Sequence, residues 1–322
     1  MNERRYDPAS DTWVTVSAQR QDRTFLPAAD ECPLCPTRPG GPTTEIPRAA
    51  FEVAVFDNRF PALAPDFTAP ASVAPPYASA AAAGRCEVVV YSDAHEGSLA
   101  TLPTGRLRLL IDVWADRHRV LGAQPEVGYV MAFENRGDAV GATLHHPHGQ
   151  VYAYPEVPPR VATRLAAARR YLERTGRCVH CDVVAAEVDG PRVVLATADV
   201  IAFVPFAPRL PYEVHVVPRA HQGTLGELPL ATRDELADVL ARLVEAYDRL
   251  FGFPLPYVMA IHQRPTDGGD WDAIAHTHFE FTPLHRSADK LKYLAGSELA
   301  AGAFLTDRVP EDAAAELRER LR

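Results

Sequence analysis

Glu87-Val-Val-Val-Tyr-Ser-Asp-Ala-His95 and Glu213-Val-His-Val-Val-Pro-Arg-Ala-His221 are one pattern written twice. Further along, Tyr129-Val-Met-Ala-Phe-Glu-Asn-Arg136 is matched by Tyr257-Val-Met-Ala-Ile-His-Gln-Arg264. The offsets are 126 and 128 residues, so the order and nearly the spacing are kept, which is the signature of an internal duplication. The same punctuation recurs in each copy. Cys32-Pro-Leu-Cys35, His95 and His146-Pro-His148 are followed by Cys178-Val-His-Cys181, His221 and His276-Thr-His278. The chain therefore divides into halves spanning residues 1–160 and 161–322.

Within each half, alternation and β-branched content predict strands, and apolar spacing predicts helices. Strands are expected at 51–57, 87–91, 127–134 and 150–154, and again at 201–205, 213–217, 257–262 and 277–282. A helix is expected at 107–121, with Leu107, Leu110, Ile111, Trp114 and His118 on one face, and another at 231–250, with Leu236, Val239, Leu240 and Leu243 at helical spacing. Residues 158–175 read as an amphipathic connecting helix and 310–321 as a terminal one. The order β-β-α-β-β defines an α+β fold, a tandem repeat of two units with antiparallel sheets and flanking helices, merged into one body.

Composition narrows the function. With 322 residues, 47% hydrophobic and 23% charged, the chain can bury a large core without disulfides. A net charge of −9 excludes an electrostatic nucleic-acid binder but not a small phosphorylated substrate held by local cations. No apolar run reaches the roughly 20 residues of a membrane span, and no secretory signal follows the charged amino terminus. The expected location is cytoplasmic. Only two of the 33 basic side chains are lysines, Lys290 and Lys292.

Four of the five cysteines form the two CxxC pairs, leaving Cys86 alone. A redox dithiol would sit in a thioredoxin-like βαβ setting, which the pattern lacks. A tetrahedral zinc site of two Cys and two His suits the pairs better. The repeat selects the histidines: Cys32, Cys35, His95 and His146 for one zinc, Cys178, Cys181, His221 and His276 for a second. The second set is more open, since His180, His262 and His278 lie nearby and iron is an alternative metal there. With four protein ligands each, both metals would be structural.

His146-Pro-His148-Gly-Gln150 follows a Gly-Ala-Thr turn and opens a strand. Alternation puts His146, His148 and Gln150 on one face. His146 can face the metal while His148, unprotonated in good part at neutral pH, acts as a nucleophile. Gly149 is expected to clear room for a phosphorylated group.

His146-Pro-His-Gly-Gln150, preceded by Phe133-Glu-Asn-Arg-Gly137, resembles the active-site segment of galactose-1-phosphate uridylyltransferases, members of the histidine triad superfamily. The resemblance runs from Arg20-Gln-Asp-Arg23 to Lys292-Tyr-Leu-Ala-Gly-Ser-Glu298 and implies two histidine-triad-like units. It implies a ping-pong reaction in which His148 takes the uridylyl group of UDP-glucose and passes it to galactose 1-phosphate. Gln150, where triad hydrolases carry a third histidine, would donate to a phosphoryl oxygen. Phe56, Asn58 and Asn135 would contact the nucleotide, and Arg20, Arg23 and Thr143 the phosphates. Lys292, Tyr293 and Glu298 would approach the hexose from the partner subunit of a homodimer with a shared active site. Ser297 stands where some members carry a tyrosine, and some carry a glutamine near Phe304. Some members also lack the second CxxC and hold a second metal with one Glu and three His, whereas related nucleoside-diphosphosugar phosphorylases have it. Such a phosphorylase, with inorganic phosphate as acceptor, is the alternative activity. A zinc-stabilised nucleotide-binding protein without catalysis would leave His148 idle.

Overall fold

A computed structural model describes residues 2–22, 25–68 and 73–321. Among these, the first half contributes strands β1 (Asn2–Asp7), β2 (Thr12–Ser17), β3 (Ala54–Asp57), β4 (Ala78–Ala81), β5 (Arg85–Val90), β6 (Tyr129–Arg136) and β7 (His148–Tyr154), with helix α1 (Thr104–Gly122) between β5 and β6. Helices α2 (Pro159–Thr175) and α3 (Val179–Glu187) lead into β8 (Val193–Ala196), β9 (Val200–Phe203) and β10 (Val214–Pro218). Helix α4 (Leu230–Leu250), β11 (Tyr257–His262) and β12 (His278–Pro283) complete the second copy. The small ribbon β13 (His285–Ser287) and β14 (Lys290–Leu291) and helices α5 (Gly296–Ala301) and α6 (Pro310–Arg320) close the chain.

The two units share one nine-stranded sheet, in the order β3-β5-β7-β6-β11-β12-β10-β9-β8, and every pairing in it is antiparallel. The order reads as two copies facing one another across the β6–β11 seam, where Tyr257 pairs with Arg136 and Ile261 with Ala132. The expected merger of two sheet-and-helix units is what the fold shows.

Strand alternation gives this sheet two chemically different faces. Val89, Tyr91, Val151, Met259, Ile261, Phe279 and Phe281 point to one face and are buried beneath α1 and α4. Both helices carry the apolar stripe that their spacing predicts, Leu107, Leu110, Ile111, Trp114 and Leu121 on α1, and Leu236, Val239, Leu240, Leu243 and Tyr247 on α4. The other face carries the histidines. Among the described residues no helix is long and apolar enough to cross a membrane.

Several elements escaped the sequence pattern. Strands β1, β2 and β4 form a separate three-stranded sheet, β8 adds an edge strand to the large sheet, and α3 begins inside the second CxxC, with Cys178 at its N-cap and Cys181 in its first turn. The duplication also needs a correction. In the first half Gln150 pairs with Val88 and Phe133, while in the second Glu280 pairs with His215 and Ala260. The sequence matches had aligned Val88 with Val214 and Phe133 with Ile261, so each match is out of step with the sheet by one residue, in opposite senses. One residue of slip turns a side chain to the other face. Glu87 consequently meets Arg117 of α1, whereas Glu213 lies beside His215 on the histidine face.

Candidate active site and metal centres

The open face carries three clusters of ligating side chains. In the first half, donor atoms of Cys32, Cys35, His95 and His146 all lie within 4.8 Å of one another. Cys35 Sγ is 3.3 Å from His95 Nδ1 and 3.6 Å from His146 Nδ1, and Cys32 Sγ is 4.0 Å from the latter. Sulfur and nitrogen ligands on a tetrahedral zinc, bound at ~2.3 and ~2.1 Å, stand about 3.6 Å apart, so the set fits such an ion. In the second half Cys178, Cys181, His221 and His276 are grouped in the same way, with Cys181 Sγ 3.4 Å from His221 Nδ1 and 3.6 Å from His276 Nδ1.

Both quartets turn Nδ1 inward because Nε2 is engaged by main chain. His146 Nε2 donates to Ser92 O at 2.8 Å, His276 Nε2 to Pro218 O at 2.8 Å and His221 Nε2 to Asp272 O at 2.7 Å. Such outer hydrogen bonds fix the tautomer of a metal-binding imidazole. The thiols supply the other half of the fit. Burial and the neighbouring Cys32 push the Cys35 thiol up to about 11, and burial and Cys178 do the same to Cys181. Paired thiolates at these positions call for a cation.

Next to the first quartet, His148 opens β7. Its Nδ1 lies 2.7 Å from the carbonyl of His146. A carbonyl only accepts, so Nδ1 carries the proton and the lone pair is left on Nε2. Burial lowers the pKa of His148, which favours that neutral form. The half-buried ring lines a cavity of about 260 Å³ whose wall includes Arg20, Phe56, Asn58, Asn135, Thr143 and Gln150. Asn58 Nδ2 donates to Gln150 Oε1 at 3.3 Å, which leaves the Gln150 amide nitrogen to act as a donor. Asn58 Oδ1 accepts from Phe60 N, so its side chain is held at both ends. Arg20 Nη1 donates to Tyr152 Oη at 2.9 Å. Arg23 lies outside the described residues.

Tyr152, Leu34 and Phe133 also line the cavity. Tyr152 was legible, since alternation along β7 carries His148 and Gln150 on to residue 152 on the same face. Leu34 was not, because a loop far away in sequence brings it there.

Gly149 requires a different explanation from the one expected. Its missing side chain points away from His148, toward the helix-covered face, where a Cβ would stand 2.3 Å from Tyr91 Oη and 2.9 Å from Phe133 O. Close packing beneath the strand, not room for a phosphate, demands glycine here.

The third cluster belongs to the second half. His262, His278 and Glu280 bring ligating atoms together, with His278 and Glu280 occupying the places of His148 and Gln150. His278 Nδ1 is tied to His276 O at 2.8 Å, as in the first half. Its surroundings differ, because Arg164 of α2 donates to both Glu280 oxygens at 2.7 and 2.9 Å, and His215 Nε2 lies 3.5 Å from Oε1. Burial would raise the Glu280 carboxyl, but the imidazoles of His262, His278 and His215 gathered around it outweigh that and hold the group well below its ordinary range. The Arg164 guanidinium therefore already pairs with both oxygens of this carboxylate.

The C-terminal segment stands apart. Lys292 Nζ donates to Glu298 Oε1 at 2.7 Å, and Ala295 N donates to Oε2 at 3.1 Å, so Glu298 caps α5 and its carboxyl is held down to about 2, chiefly by Lys292. Tyr293 is 73% exposed. None of the three lines the His148 cavity.

A duplicated unit in which one copy frees a histidine Nε2 beside an amide is the frame of a nucleotidyltransferase enzyme of the histidine-triad type. The chain belongs to the galactose-1-phosphate uridylyltransferase family: residues 1–158 match the family's N-terminal domain and residues 164–322 its C-terminal domain. It is 40% identical to the galactose-1-phosphate uridylyltransferase of Thermotoga maritima, covering 99% of this chain and 98% of that protein, and 36% identical to that of Streptomyces lividans, covering 99% and 87%. A solved uridylyltransferase superposes with a TM-score of 0.87 at 32% identity, covering 99% of this chain and 98% of that one. An ADP-glucose phosphorylase from Arabidopsis thaliana, solved with bound ADP-glucose, shares the fold at a TM-score of 0.77 and 23% identity, covering 99% and 98%.

Proposed function

We propose that the chain transfers a uridylyl group from UDP-glucose to galactose 1-phosphate by a ping-pong route through His148. The observation that carries this reading is the tether from His148 Nδ1 to the His146 carbonyl, which leaves Nε2 as the ring nitrogen available to the cavity. Nε2 attacks the α-phosphorus and the bond to the bridging oxygen breaks, releasing glucose 1-phosphate and leaving uridylyl-histidine. A phosphate oxygen of galactose 1-phosphate then attacks the same phosphorus, giving UDP-galactose and free His148.

A sugar phosphate leaves without a strong general acid, so the site's work is orientation and charge stabilisation. Gln150, oriented by Asn58, donates to a phosphoryl oxygen, with Arg20, Arg23 and Thr143 at the phosphates. Phe56, Asn58 and Asn135 hold the nucleoside. Cys32, Cys35, His95 and His146 would hold one zinc and Cys178, Cys181, His221 and His276 a second, zinc or iron, each a structural ion without an open ligand position. The first ion's ligand His146 also supplies the carbonyl that orients His148. Lys292, Tyr293 and Glu298 serve the hexose of a partner subunit's site. The exposure of Tyr293, Leu299 and Leu305 fits a homodimer, and five cysteines that form no disulfide fit the cytoplasm.

The test is the half-reaction. Stoichiometric protein mixed with UDP-glucose alone should release one equivalent of glucose 1-phosphate and gain the mass of one uridylyl group. Absence of both in fully metallated protein would exclude the covalent route. Competition between galactose 1-phosphate and inorganic phosphate for the labelled protein then separates the transferase from a phosphorylase.

A further inference from the structure

On the helix-covered face of the sheet, in the main hydrophobic core, sits a carboxylate. Glu134 of β6 is 4% exposed, and its two oxygens are met by two tyrosines, Tyr91 Oη on Oε2 and Tyr257 Oη on Oε1, each at 3.3 Å. Tyr91 and Tyr257 are themselves fully buried, Tyr91 edge-on against Trp114 of α1 and Tyr257 edge-on against Phe281. A buried carboxyl in such surroundings is costly unless it is hydrogen-bonded. The uridylyl-transfer chemistry takes place on the other face and uses none of the three.

The two tyrosines differ in one respect. Tyr257 comes from β11 of the second half, whereas Tyr91 directly follows β5 and lies beneath the nucleophile strand. Its hydroxyl fills the place of the side chain that Gly149 lacks, and its backbone N donates to Pro147 O at 3.1 Å. Pro147 and Gly149 flank His148. The residue that bears the nucleophile is thus supported from below by one tyrosine, whose hydroxyl is tied to one carboxylate.

We propose that Tyr91, held by Glu134, is a positioning residue that sets the height of the His146–Gln150 strand and so the place of His148 Nε2. This rests on His148 being the nucleophile. A displacement of about 1 Å in a reacting group can cost up to about a hundredfold in rate. Loss of the Tyr91 hydroxyl opens a gap under Gly149 into which the strand can relax.

Tyr91→Phe and Tyr257→Phe make a matched pair, because each removes one hydroxyl from Glu134 and only the first removes the prop under Gly149. Single-turnover formation of the histidine adduct from UDP-glucose should slow about 10- to 100-fold in Tyr91→Phe at saturating substrate. The half-saturating concentration should stay unchanged, and Tyr257→Phe should react near the wild-type rate. Melting temperatures should fall to a similar extent in both. Glu134→Gln keeps an oxygen for Tyr91 and should retain the rate; Glu134→Leu should lose it as Tyr91→Phe does. Equal slowing in the two Phe variants, or no slowing in Tyr91→Phe, would overturn the proposal and reduce the tyrosines to packing. Adduct formation that survives in His148→Asn would overturn the assignment of the nucleophile, and this role with it, a result the tyrosine pair cannot produce.

Discussion

His146-Pro-His-Gly-Gln150 and His276-Thr-His-Phe-Glu280 occupy corresponding strands of one sheet, and the two segments have kept different things. Both retain a CxxC partner, a first histidine turned Nδ1-inward by a main-chain carbonyl, and a second histidine whose Nδ1 is tied to the first one's carbonyl. They part at the residue two places on. Gln150 is neutral and shares a cavity with His148, while Glu280 is a buried carboxylate that gathers His215, His262, His278 and Arg164 around itself. A Cys₂His₂ quartet and a histidine tethered through Nδ1 are therefore common to both copies and do not by themselves single out the proposed nucleophile. Both rings line cavities, and what separates them is the neighbour: a neutral amide beside His148, a carboxylate paired with Arg164 beside His278.

The sharpest way to break this comparison is to exchange the two histidines' fates. His148→Asn should abolish adduct formation by several orders of magnitude, since no other group replaces the nucleophile. His278→Asn should leave turnover close to wild type. Comparable losses in both, measured by single-turnover release of glucose 1-phosphate, would mean that the second cluster takes part in the chemistry.

The metal quartets should separate next. Cys35→Ser and Cys181→Ser should each remove one metal per chain, read by elemental analysis, and each should lower the melting temperature by more than about 5 °C, as a loss of several kcal/mol does in a chain of this size. The first substitution should also silence the half-reaction, because the His146 carbonyl that orients His148 moves with the metal site. The second should leave a measurable burst.

A third expectation concerns the charge that closes the second half. Arg164→Ala strands the Glu280 carboxylate and should destabilise by about 3–5 kcal/mol in denaturant unfolding, the usual cost of breaking a buried pair. Adding Glu280→Gln, which gives the second copy the amide of the first, should recover most of that loss. A fully additive double variant would show that the ion pair is incidental.

The smallest effect is a pH dependence confined to the first half's buried carboxyl. Burial raises Glu134 to about 7 against the favourable field of Arg136 and the tyrosine hydroxyls. Tyr91, Tyr257, Arg136 and, beyond it, Asp248 are the groups that face it. A carboxyl raised in the folded state favours folding while it is protonated, and that contribution is lost as pH rises through about 7. Glu134→Gln does not titrate. Its stability relative to wild type should therefore improve between pH 5 and pH 8, by up to about 3 kcal/mol. A constant difference across that range would place the proton elsewhere.

Much of the molecule could be read from the chain alone because the signals were local or repeated. The duplication, the two helices beneath the sheet and both Cys₂His₂ quartets follow from spacing, periodicity and ligand chemistry. So does the face shared by His146, His148 and Gln150, which strand alternation dictates. Local spacing is silent where partners meet from distant strands. Strand resemblance could not reveal that each repeat is out of step with the sheet by one residue, since a match of Val and Tyr types holds almost as well after such a slip. That slip turns Glu213 and His215 toward Glu280 and leaves Glu87 on the helix side. Gly149 looked like clearance for substrate until the fold set Tyr91 beneath it. Lys292 and Glu298, expected together at the hexose, are joined to each other by the turn into α5, a pairing that spacing does not reveal. Composition and spacing determine which groups are present and which face of an element they share. Only tertiary packing decides which of those groups are matched by a neighbour, and so which of two similarly tethered histidines lies beside an amide and which beside a carboxylate held by Arg164.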